Sequence, residues 1–347
     1  MRIEQLFGID LPLIQAPMAG AQDAALAIAV AEAGGLGSLP CAMLTPDQLI
    51  AELESIRAVT DKPINLNFFS HTMPASDAGQ EQQWRTCLQP YYQQYDIDPE
   101  KIASGATRTP FDHKMAEVLE KYRPDVVSFH FGLPEPELLQ RVRNCGCKIL
   151  SSATTVAEAR WLEQQGVDGI IAQGLEAGGH RGFFLNSDLN TQAGTMALLP
   201  QIIAATDLPV IAAGGIADRA GIKAALMMGA AGVQLGTTFL LCDESRISEI
   251  HRQALLDAEY PTALTNIFSG GAARGIVNRV MAELGAMPST APPFPLATAA
   301  IGPLRAAAEE QGVGDFSPLW SGQNRTGCRP VPAAELVNYL FEGLERG

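Results

Sequence analysis

Short apolar runs alternate with amphipathic stretches along most of the chain. An apolar run bounded by turn residues predicts a buried strand, and an amphipathic stretch that opens on a capping residue predicts a helix. Strands are predicted at 11–18, 36–39, 63–69, 126–132, 148–153, 168–173, 209–215 and 232–238. Helices are predicted at 24–33, 45–59, 135–144, 156–165, 196–205 and 219–228. Strands that mostly alternate with helices predict a parallel α/β fold.

The strand count and the chain length decide between two arrangements of such a sheet. Eight predicted strands in 347 residues favour a (β/α)8 TIM barrel over an open doubly wound sheet. No Gly-x-Gly-x-x-Gly pattern opens the first helix, so a Rossmann dinucleotide site has no support. Capping residues mark several helix starts: Asp23, Thr45 before Pro46, and Thr155 with Glu158, a pair that predicts a capping box.

Two long segments interrupt the repeat. Residues 70–110 and 243–316 exceed ordinary connections, and loops this long are usually lids or binding elements. We predict a small lid or substrate domain made of 71–110 and 243–316, on a barrel made of 1–70, 111–242 and 317–347. Trp84 and the tyrosines of the first segment are candidates for shaping a substrate pocket. A last helix, 333–344, is expected to pack back on the barrel.

Composition excludes several classes of partner. The formal net charge is −14, so neither nucleic acid nor an anionic membrane surface would gain by releasing counterions to this protein. The six cysteines lack metal-ligand spacing, which predicts free thiols in a reducing, cytoplasmic environment and no metal site. The N-terminus lacks the features of a signal peptide. The uncharged run 224–242 is interpreted as a helix end, a turn and a strand rather than a membrane span.

Candidate chemistry collects in the loop 174–182, after the sixth strand. Glycines at 174, 178, 179 and 182 surround one imidazole, His180. Glycines this dense let the backbone approach a flat or charged ligand, so Gly178 and Gly179 are candidate ligand contacts. His180 is a candidate acid, base or hydrogen-bond donor. Glu176 and Arg181 flank the loop; we expect both on a solvated face, with contact to the substrate as the alternative.

Further candidates follow from the barrel architecture, because the carboxyl ends of barrel strands face the active site. The first six strands supply Ala16, Pro17, Met18, Asn67, His130, Ser152 and Gln173 there. His130 is expected either near the reacting groups or as a hydrogen-bonded core histidine. The remaining histidines, His71, His113 and His251, are expected at the surface.

The last two strand ends predict a phosphate site. The residues are Gly214 and Gly215 after the seventh strand, and Gly236, Thr237 and Thr238 after the eighth. Backbone N–H groups in such loops can hold a phosphate without a lysine, and the threonine hydroxyls add donors.

The surroundings of that phosphate site suit flavin mononucleotide (FMN). Pro17 and Met18 offer an apolar wall for a flat ring, and the amides of Asn67 and Gln173 offer donors and acceptors for its polar edge. A sugar phosphate or a nucleotide substrate would fit the phosphate site equally well.

An ordered set of motifs resembles one known family. The motifs are Gln15–Gly20, Gly34–Gly37, Asn65–Phe69, Ser128–Gly132, Ser151–Thr155, Ala172–His180, Ala213–Ile216 and Gly236–Thr238, and they span most of the barrel. They resemble class I nitronate monooxygenase, formerly called 2-nitropropane dioxygenase. The segment 319–323 resembles a family segment that returns to the cofactor, which adds Gln323 as a candidate. Ala21 departs from the valine frequent in the family, a small apolar replacement.

The resemblance implies an FMN-binding barrel with a lid. It also implies oxidation of alkyl nitronates, such as propionate 3-nitronate, by O2 to carbonyl compounds and nitrite. The hypothesis is that His180 lies over the flavin, binds the nitronate, and removes a carbon proton when the substrate is a neutral nitroalkane. Enoyl-acyl-carrier-protein reductase II and NADH:quinone reductases share the histidine loop and phosphate strands, so an NAD(P)H-dependent flavin reductase is the alternative. The oligomeric state, monomer or dimer, is open.

Overall fold

The computed structural model describes residues 2–102, 108–257, 259 and 261–344. Its strands are β1 Leu13–Gln15, β2 Gly37–Pro40, β3 Ile64–Phe69, β4 Val126–His130, β5 Lys148–Ala153, β6 Gly169–Gln173, β7 Gly179–His180, β8 Val210–Ala213, β9 Gly232–Leu235, β10 Thr262–Thr265 and β11 Ala273–Ile276. Eight of them form a parallel sheet, and β10, β11 and β7 form a separate antiparallel sheet.

The parallel sheet closes into a barrel. Neighbouring strands run β1-β9-β8-β6-β5-β4-β3-β2, and a parallel bridge between Ile14 and Leu36 joins β1 to the start of β2. The predicted (β/α)8 fold is therefore confirmed. Four of the eight barrel strands end earlier than predicted. After β8, for example, Gly214 and Gly215 adopt positive φ angles of 114° and 72°, which turn the chain out of the sheet.

Helices pack around this barrel and in the insertions. They are α1 Ile3–Phe7, α2 Ala24–Glu32, α3 Pro46–Arg57, α4 Ala78–Gln94, α5 His113–Tyr122, α6 Pro136–Asn144, α7 Val156–Gln164, α8 Thr195–Ile203, α9 Arg219–Met227, α10 Glu249–Leu256, α11 Arg279–Leu284, α12 Thr298–Glu310 and α13 Ala333–Phe341. Asp23 caps α2, and Thr45 forms a full capping box with Gln48 at α3. The terminal helix α13 packs against α2, as expected.

The capping box predicted at α7 is only half formed. Thr155 accepts the Glu158 N–H, as predicted. The Glu158 carboxylate, however, accepts from the N–H groups of Thr154 and Phe184 rather than from the N-cap backbone. Glu158 is buried, and a buried carboxylate needs several donors. It therefore ties the chain beyond the histidine loop to the end of β5.

An apolar cluster fills the amino-terminal half of the barrel. It contains Ile14, Leu36, Val126, Leu150, Ile171 and Ile211 from the strands, with Ile3 and Phe7 of α1 beneath them. Burying each such side chain contributes roughly 1.5–3 kcal/mol. Because α1 seals this end, ligands reach the barrel from the carboxyl ends of the strands.

The two insertions share a second apolar cluster. Trp84 and Tyr92 of α4 pack there with Ile301 of α12 and with Phe316. Both α4 rings are fully buried, and the Tyr92 hydroxyl donates to the Ala300 carbonyl at 2.7 Å. For Trp84 and Tyr92, the expectation of a place in the substrate pocket is therefore wrong, because the insertion needs these rings for its own core. Residues 103–107 of the first insertion lie outside the described residues, and the domain boundaries remain a prediction.

The histidine loop belongs to the second sheet. His180 pairs with Ala273 and Gly179 with Arg274, so β7 adds to β11 as an edge strand. The sequence predicted only a loop here, since a two-residue strand has no hydrophobic period. The lid segment therefore holds the backbone of His180 directly.

The structure also bears on the membrane span, the disulfides and the metal site that the sequence argued against. The run 224–242 forms the end of α9, strand β9 and a short turn, as interpreted. No helix in the described ranges is long and apolar enough to cross a membrane. All six cysteines are free thiols. Among the residues described, no cluster of histidine, cysteine, aspartate and glutamate could hold a metal ion.

Candidate active site

A cavity of about 400 Å³ opens at the carboxyl ends of the barrel strands. This size suits a cofactor or small-molecule site. Most candidates named from the sequence line it: Ala16, Pro17, Met18, Asn67, His130, Ser152, Gln173, Gly178, Gly179, His180, Gly214, Gly215, Gly236 and Thr237. The expectation that carboxyl ends of barrel strands face one site therefore holds for residues from seven separate strand ends.

Two candidates do not line the cavity. Thr238 is buried in the turn after β9, where its side chain contributes to the core rather than to the wall. Gln323 has an exposed side chain, and its N–H donates to the Glu176 carbonyl at 3.0 Å. That bond turns the segment so that Gly322 and Asn324 form the wall instead. Thr238 and Gln323 therefore do not line the cavity, and their roles as ligand contacts stay predictions.

Glycines and one threonine build the end of the cavity where a phosphate was predicted. Gly214 and Gly215 turn the chain after β8, and Gly236 precedes the turn at Thr237. The Thr237 hydroxyl accepts the Gly322 N–H at 2.8 Å, which leaves its own proton for a ligand. This end has backbone and hydroxyl groups to offer an anion.

The loop after β6 passes close to the same end. A Cβ atom at Gly178 would lie 2.5 Å from the Gly322 nitrogen and 2.6 Å from the Ser321 carbonyl carbon. Neither backbone atom can move out of the way independently of its chain. Glycine at 178 is therefore a packing requirement between the histidine loop and the segment after Trp320.

A buried amide network supports the apolar wall made by Ala16–Met18. Gln22 accepts the Met18 N–H at 3.1 Å and donates to the Ser38 carbonyl at 2.6 Å. Gln15 donates to the Ala16 carbonyl and accepts the Ser38 N–H. Sequence reasoning missed Gln15 and Gln22 as supporting residues. A glutamine inside an apolar strand was the available signal, since buried amides require partners.

Gln234 of β9 also lines the cavity and was not predicted. Its Oε1 atom is buried and has no hydrogen-bond partner among the described residues. An unpaired buried acceptor is costly, so this oxygen is suited to an N–H donor from a ligand.

The backbone of His180 is fixed from the barrel side. Its carbonyl accepts from Gln173 Nε2 at 2.9 Å and from His130 Nε2 at 3.1 Å. Since a carbonyl only accepts, His130 carries its proton on Nε2, and its Nδ1 accepts from the Ser152 hydroxyl at 2.9 Å. Burial lowers the pKa of His130 to about 4, so this neutral form persists at neutral pH. His130 therefore lies in the wall and positions the loop.

The imidazole of His180 is enclosed by residues of the lid and by Trp320 of the C-terminal segment. Its Nε2 shares a 2.8 Å hydrogen bond with the Ser269 hydroxyl, and no side chain in the described ranges bonds to Nδ1. The rings of Phe294 and Trp320 lie 5.0 and 5.6 Å from it, centre to centre. Burial, followed by the charge of Arg108, lowers the pKa of His180 well below its usual value. His180 is therefore neutral at neutral pH, with Nδ1 left for a ligand.

Phe131 completes the enclosure from the end of β4. Its φ angle of 69° is unusual for a residue with a side chain. Its ring lies 5.1 Å from that of Phe294 and 6.0 Å from that of His180. Such strained positions persist where the surrounding packing holds them, and they cluster at functional sites.

Three expectations about charged and histidine residues were wrong. Arg181 is fully buried rather than solvated, and its guanidinium donates to the Gly174 and Gln173 carbonyls at 2.7 and 2.8 Å. Glu176 caps the start of α8 by accepting from Thr195. His71 and His251 are buried, and only His113 is exposed. Loop composition suggested a surface, but the lid covers these positions.

Sequence reasoning missed the residues that the lid contributes. They are Arg108, His251, Ser269, Phe294 and Arg305. None belongs to a recognisable motif, because each reaches the site only through the docking of the insertions. The length of the two insertions was the one sequence feature that pointed to a contribution from the lid.

Comparisons with known proteins agree with this geometry. A profile of the family described as nitronate monooxygenase matches residues 1–343. A nitronate monooxygenase of Paraburkholderia phytofirmans is 44% identical over 98% of this chain and 94% of its own. A nitronate monooxygenase of Pseudomonas aeruginosa is 40% identical over 99% of both chains. The solved structure of nitroalkane oxidase from Streptomyces ansochromogenes has a TM-score of 0.88, at 38% identity, over 99% of this chain and 97% of that one.

Proposed function

This chain belongs to the nitronate monooxygenase family of flavin-dependent oxidoreductases, and from that premise we propose that it uses FMN and O2 to oxidise alkyl nitronates to carbonyl compounds and nitrite. Propionate 3-nitronate is a representative substrate. The observation that carries the proposal is the position of His180, neutral and enclosed, on a cavity whose other end is built from glycine backbone.

The residues of the cavity fit FMN. We propose that Gly214, Gly215, Gly236 and Thr237 hold the phosphate, with Ala16, Pro17 and Met18 as the wall for the ring. Gln234 supports this assignment, because its unpaired Oε1 requires an N–H donor and the pyrimidine edge of a flavin carries one. The electron transfer from nitronate to O2 is chemistry that FMN supplies when bound.

The remaining contacts of the cofactor are proposed on the same basis. Asn67 donates to the Ser128 hydroxyl at 2.9 Å, which leaves its amide oxygen for a ligand. Ser152, Gln173, Gly178 and Gly179 line the same cavity. Gln173 uses both ends of its amide on the loop, donating to the His180 carbonyl and accepting the Gly182 N–H at 2.8 Å. We therefore assign Gln173 chiefly to positioning the loop.

His180 is proposed as the catalytic residue. With a neutral imidazole, Nδ1 can bind the substrate through a hydrogen bond. For a neutral nitroalkane, the same imidazole would take the proton from the carbon that bears the nitro group. A base with so low a pKa removes a carbon proton poorly, so the environment of His180 favours nitronates, which have already lost that proton.

The lid is proposed to exclude water from the reacting groups. Phe294 of the lid packs against the imidazole, together with Trp320 of the C-terminal segment and Phe131 at the end of β4. A dry enclosure strengthens the hydrogen bonds and charge contacts inside it. The lid would also have to admit the substrate, so its docking controls access.

The test is turnover by the purified protein with bound flavin identified by mass. O2 consumption and nitrite release with propionate 3-nitronate, and no NADH oxidation, are the expected results. NADH oxidation coupled to quinone or enoyl-thioester reduction, with an inert nitronate, would instead establish a flavin reductase. Purified protein that binds no flavin would contradict both the monooxygenase and the flavin reductase.

A further inference from the structure

We propose that Arg108 binds the two oxygens of the substrate's anionic nitro group and makes the site select nitronates over neutral nitroalkanes. This inference rests on the proposed function and assigns it a specificity residue. Arg108 lines the cavity, and its Nη1 donates to the Thr298 hydroxyl at 3.2 Å, at the start of α12. The Thr298 hydroxyl in turn donates to the carbonyl of Phe268, the residue before the Ser269 that bonds to His180, so one lid segment links the guanidinium and the imidazole.

Ion pairing separates Arg108 from the other arginines of the wall. Arg246 pairs with Asp23 at 3.0 Å, and Arg305 pairs with Glu309 at 2.8 Å. In the part of the chain that the structure describes, no carboxylate pairs with Arg108, whose side-chain partner is the neutral Thr298. One uncompensated positive charge thus faces the cavity of a protein whose net charge is −14.

The protein environment does not compensate this charge. Burial, and next the charge of Arg305, lower the pKa of Arg108, yet a guanidinium stays protonated throughout the useful pH range. A partly buried, unpaired cation carries a desolvation cost that an anionic ligand would remove. The site is therefore built for one negative charge at this position.

His180 cannot supply that charge itself. Its pKa is lowered by burial and then by Arg108, so the imidazole is neutral at neutral pH. The two side chains consequently divide the work. Arg108 provides a fixed charge, and His180 provides a neutral hydrogen-bonding group.

The geometry of a nitronate matches that of a guanidinium. Its two oxygens lie in one plane on a single nitrogen, as carboxylate oxygens do on carbon, and a guanidinium presents two parallel N–H donors to such a pair. A neutral nitroalkane offers the same shape without the full charge. The difference in charge therefore becomes a difference in affinity.

The experiment measures binding without turnover. Flavin-containing protein is titrated with nitrate, an unreactive planar anion, and with nitroethane in a buffer acidic enough to keep it neutral, and the flavin absorbance reports binding. For Arg108→Gln we expect the nitrate Kd to rise roughly 10- to 100-fold, and the nitroethane Kd to change less than about twofold. Arg108→Lys keeps the charge without the two parallel N–H donors and should give an intermediate loss of nitrate affinity. Arg279→Gln, at the half-buried start of α11 and outside the cavity wall, is the matched control.

Three results would overturn the proposal. An unchanged nitrate Kd would remove Arg108 from anion binding. Loss of flavin from both Arg108 variants would assign the residue to the cofactor. A fall in kcat/KM with propionate 3-nitronate but not with ethylnitronate would assign it to the carboxylate. The nitrate titration needs no turnover, so an inert nitronate in the unaltered protein would refute only the proposed function.

Discussion

The two ends of the cavity are built in different ways. At the end proposed for the phosphate, the wall is backbone from adjacent strand ends, marked by Gly214, Gly215 and Gly236. At the histidine end, the wall is made of side chains from distant segments, among them Arg108 and Trp320 around His180. Because of this difference, we expect substitutions at one end to impair cofactor binding and substitutions at the other end to impair catalysis. Changes at the first end should release the flavin, and changes at the second should leave it bound.

The largest expected effect is that of His180→Asn. Asparagine keeps a hydrogen-bonding group but cannot take a proton at neutral pH. We expect kcat/KM with nitroethane to fall by about 10²–10⁴, and with ethylnitronate by only about tenfold, while the flavin stays bound. Steady-state O2 consumption measures both. Equal losses for the two substrates would contradict proton removal by His180, and His113→Asn at the exposed start of α5 is the control.

Gly178→Ala tests the other end. Its Cβ would lie 2.5 Å from the Gly322 nitrogen, so the two segments must separate, at a cost of roughly 1–3 kcal/mol. We expect the FMN Kd to rise about tenfold or more, measured by fluorescence as the flavin is released. Gly302→Ala is the control, because its Cβ meets no atom within 4 Å. Unaltered FMN affinity in Gly178→Ala would show that this contact does not shape the cofactor site.

A smaller effect is expected from Ser269→Ala, which removes the hydroxyl that holds His180 Nε2. One hydrogen bond of this kind contributes about 0.5–1.5 kcal/mol, so kcat should fall roughly 3- to 10-fold with little change in flavin content. Ser269→Thr keeps the hydroxyl and should restore most of the loss. If threonine restores nothing, or if alanine acts only on flavin binding, Ser269 does not position the imidazole.

The protein should lose stability in acid because of the buried histidines around the cavity. Burial lowers the pKa values of His130 and His251 to about 4, so the unfolded chain takes up their protons as the pH falls from about 6.5, while the folded protein does not. Stability is therefore lost on acidification between about pH 6.5 and 4, by up to about 1.4 kcal/mol per pH unit for each histidine. Urea unfolding at pH 7.5 and 5.5 measures this. His251→Gln should reduce the pH dependence of the free energy of unfolding by the contribution of one histidine. An unchanged pH dependence would contradict a lowered pKa for His251.

The same contrast explains what could be predicted from the sequence. The barrel and the glycine turns at its mouth could be predicted, because hydrophobic runs mark the strands and glycines mark the turns that follow them. Gln323 was named where its neighbours Gly322 and Asn324 line the cavity, because a coil segment has no period from which to infer the direction of a side chain. Arg108 and Ser269 were beyond reach, because only the docking of the insertions brings them to His180. His251 was assigned to the surface for the same reason.

The central claim, oxidation of nitronates at the His180 end of a flavin site, is tested most directly by anaerobic rapid mixing. Purified flavin-containing protein would be mixed in parallel with propionate 3-nitronate and with NADH, and the flavin absorbance followed. We predict rapid loss of absorbance with the nitronate and almost none with NADH. Rapid bleaching by NADH with no response to the nitronate would contradict the account and identify a flavin reductase on the same barrel.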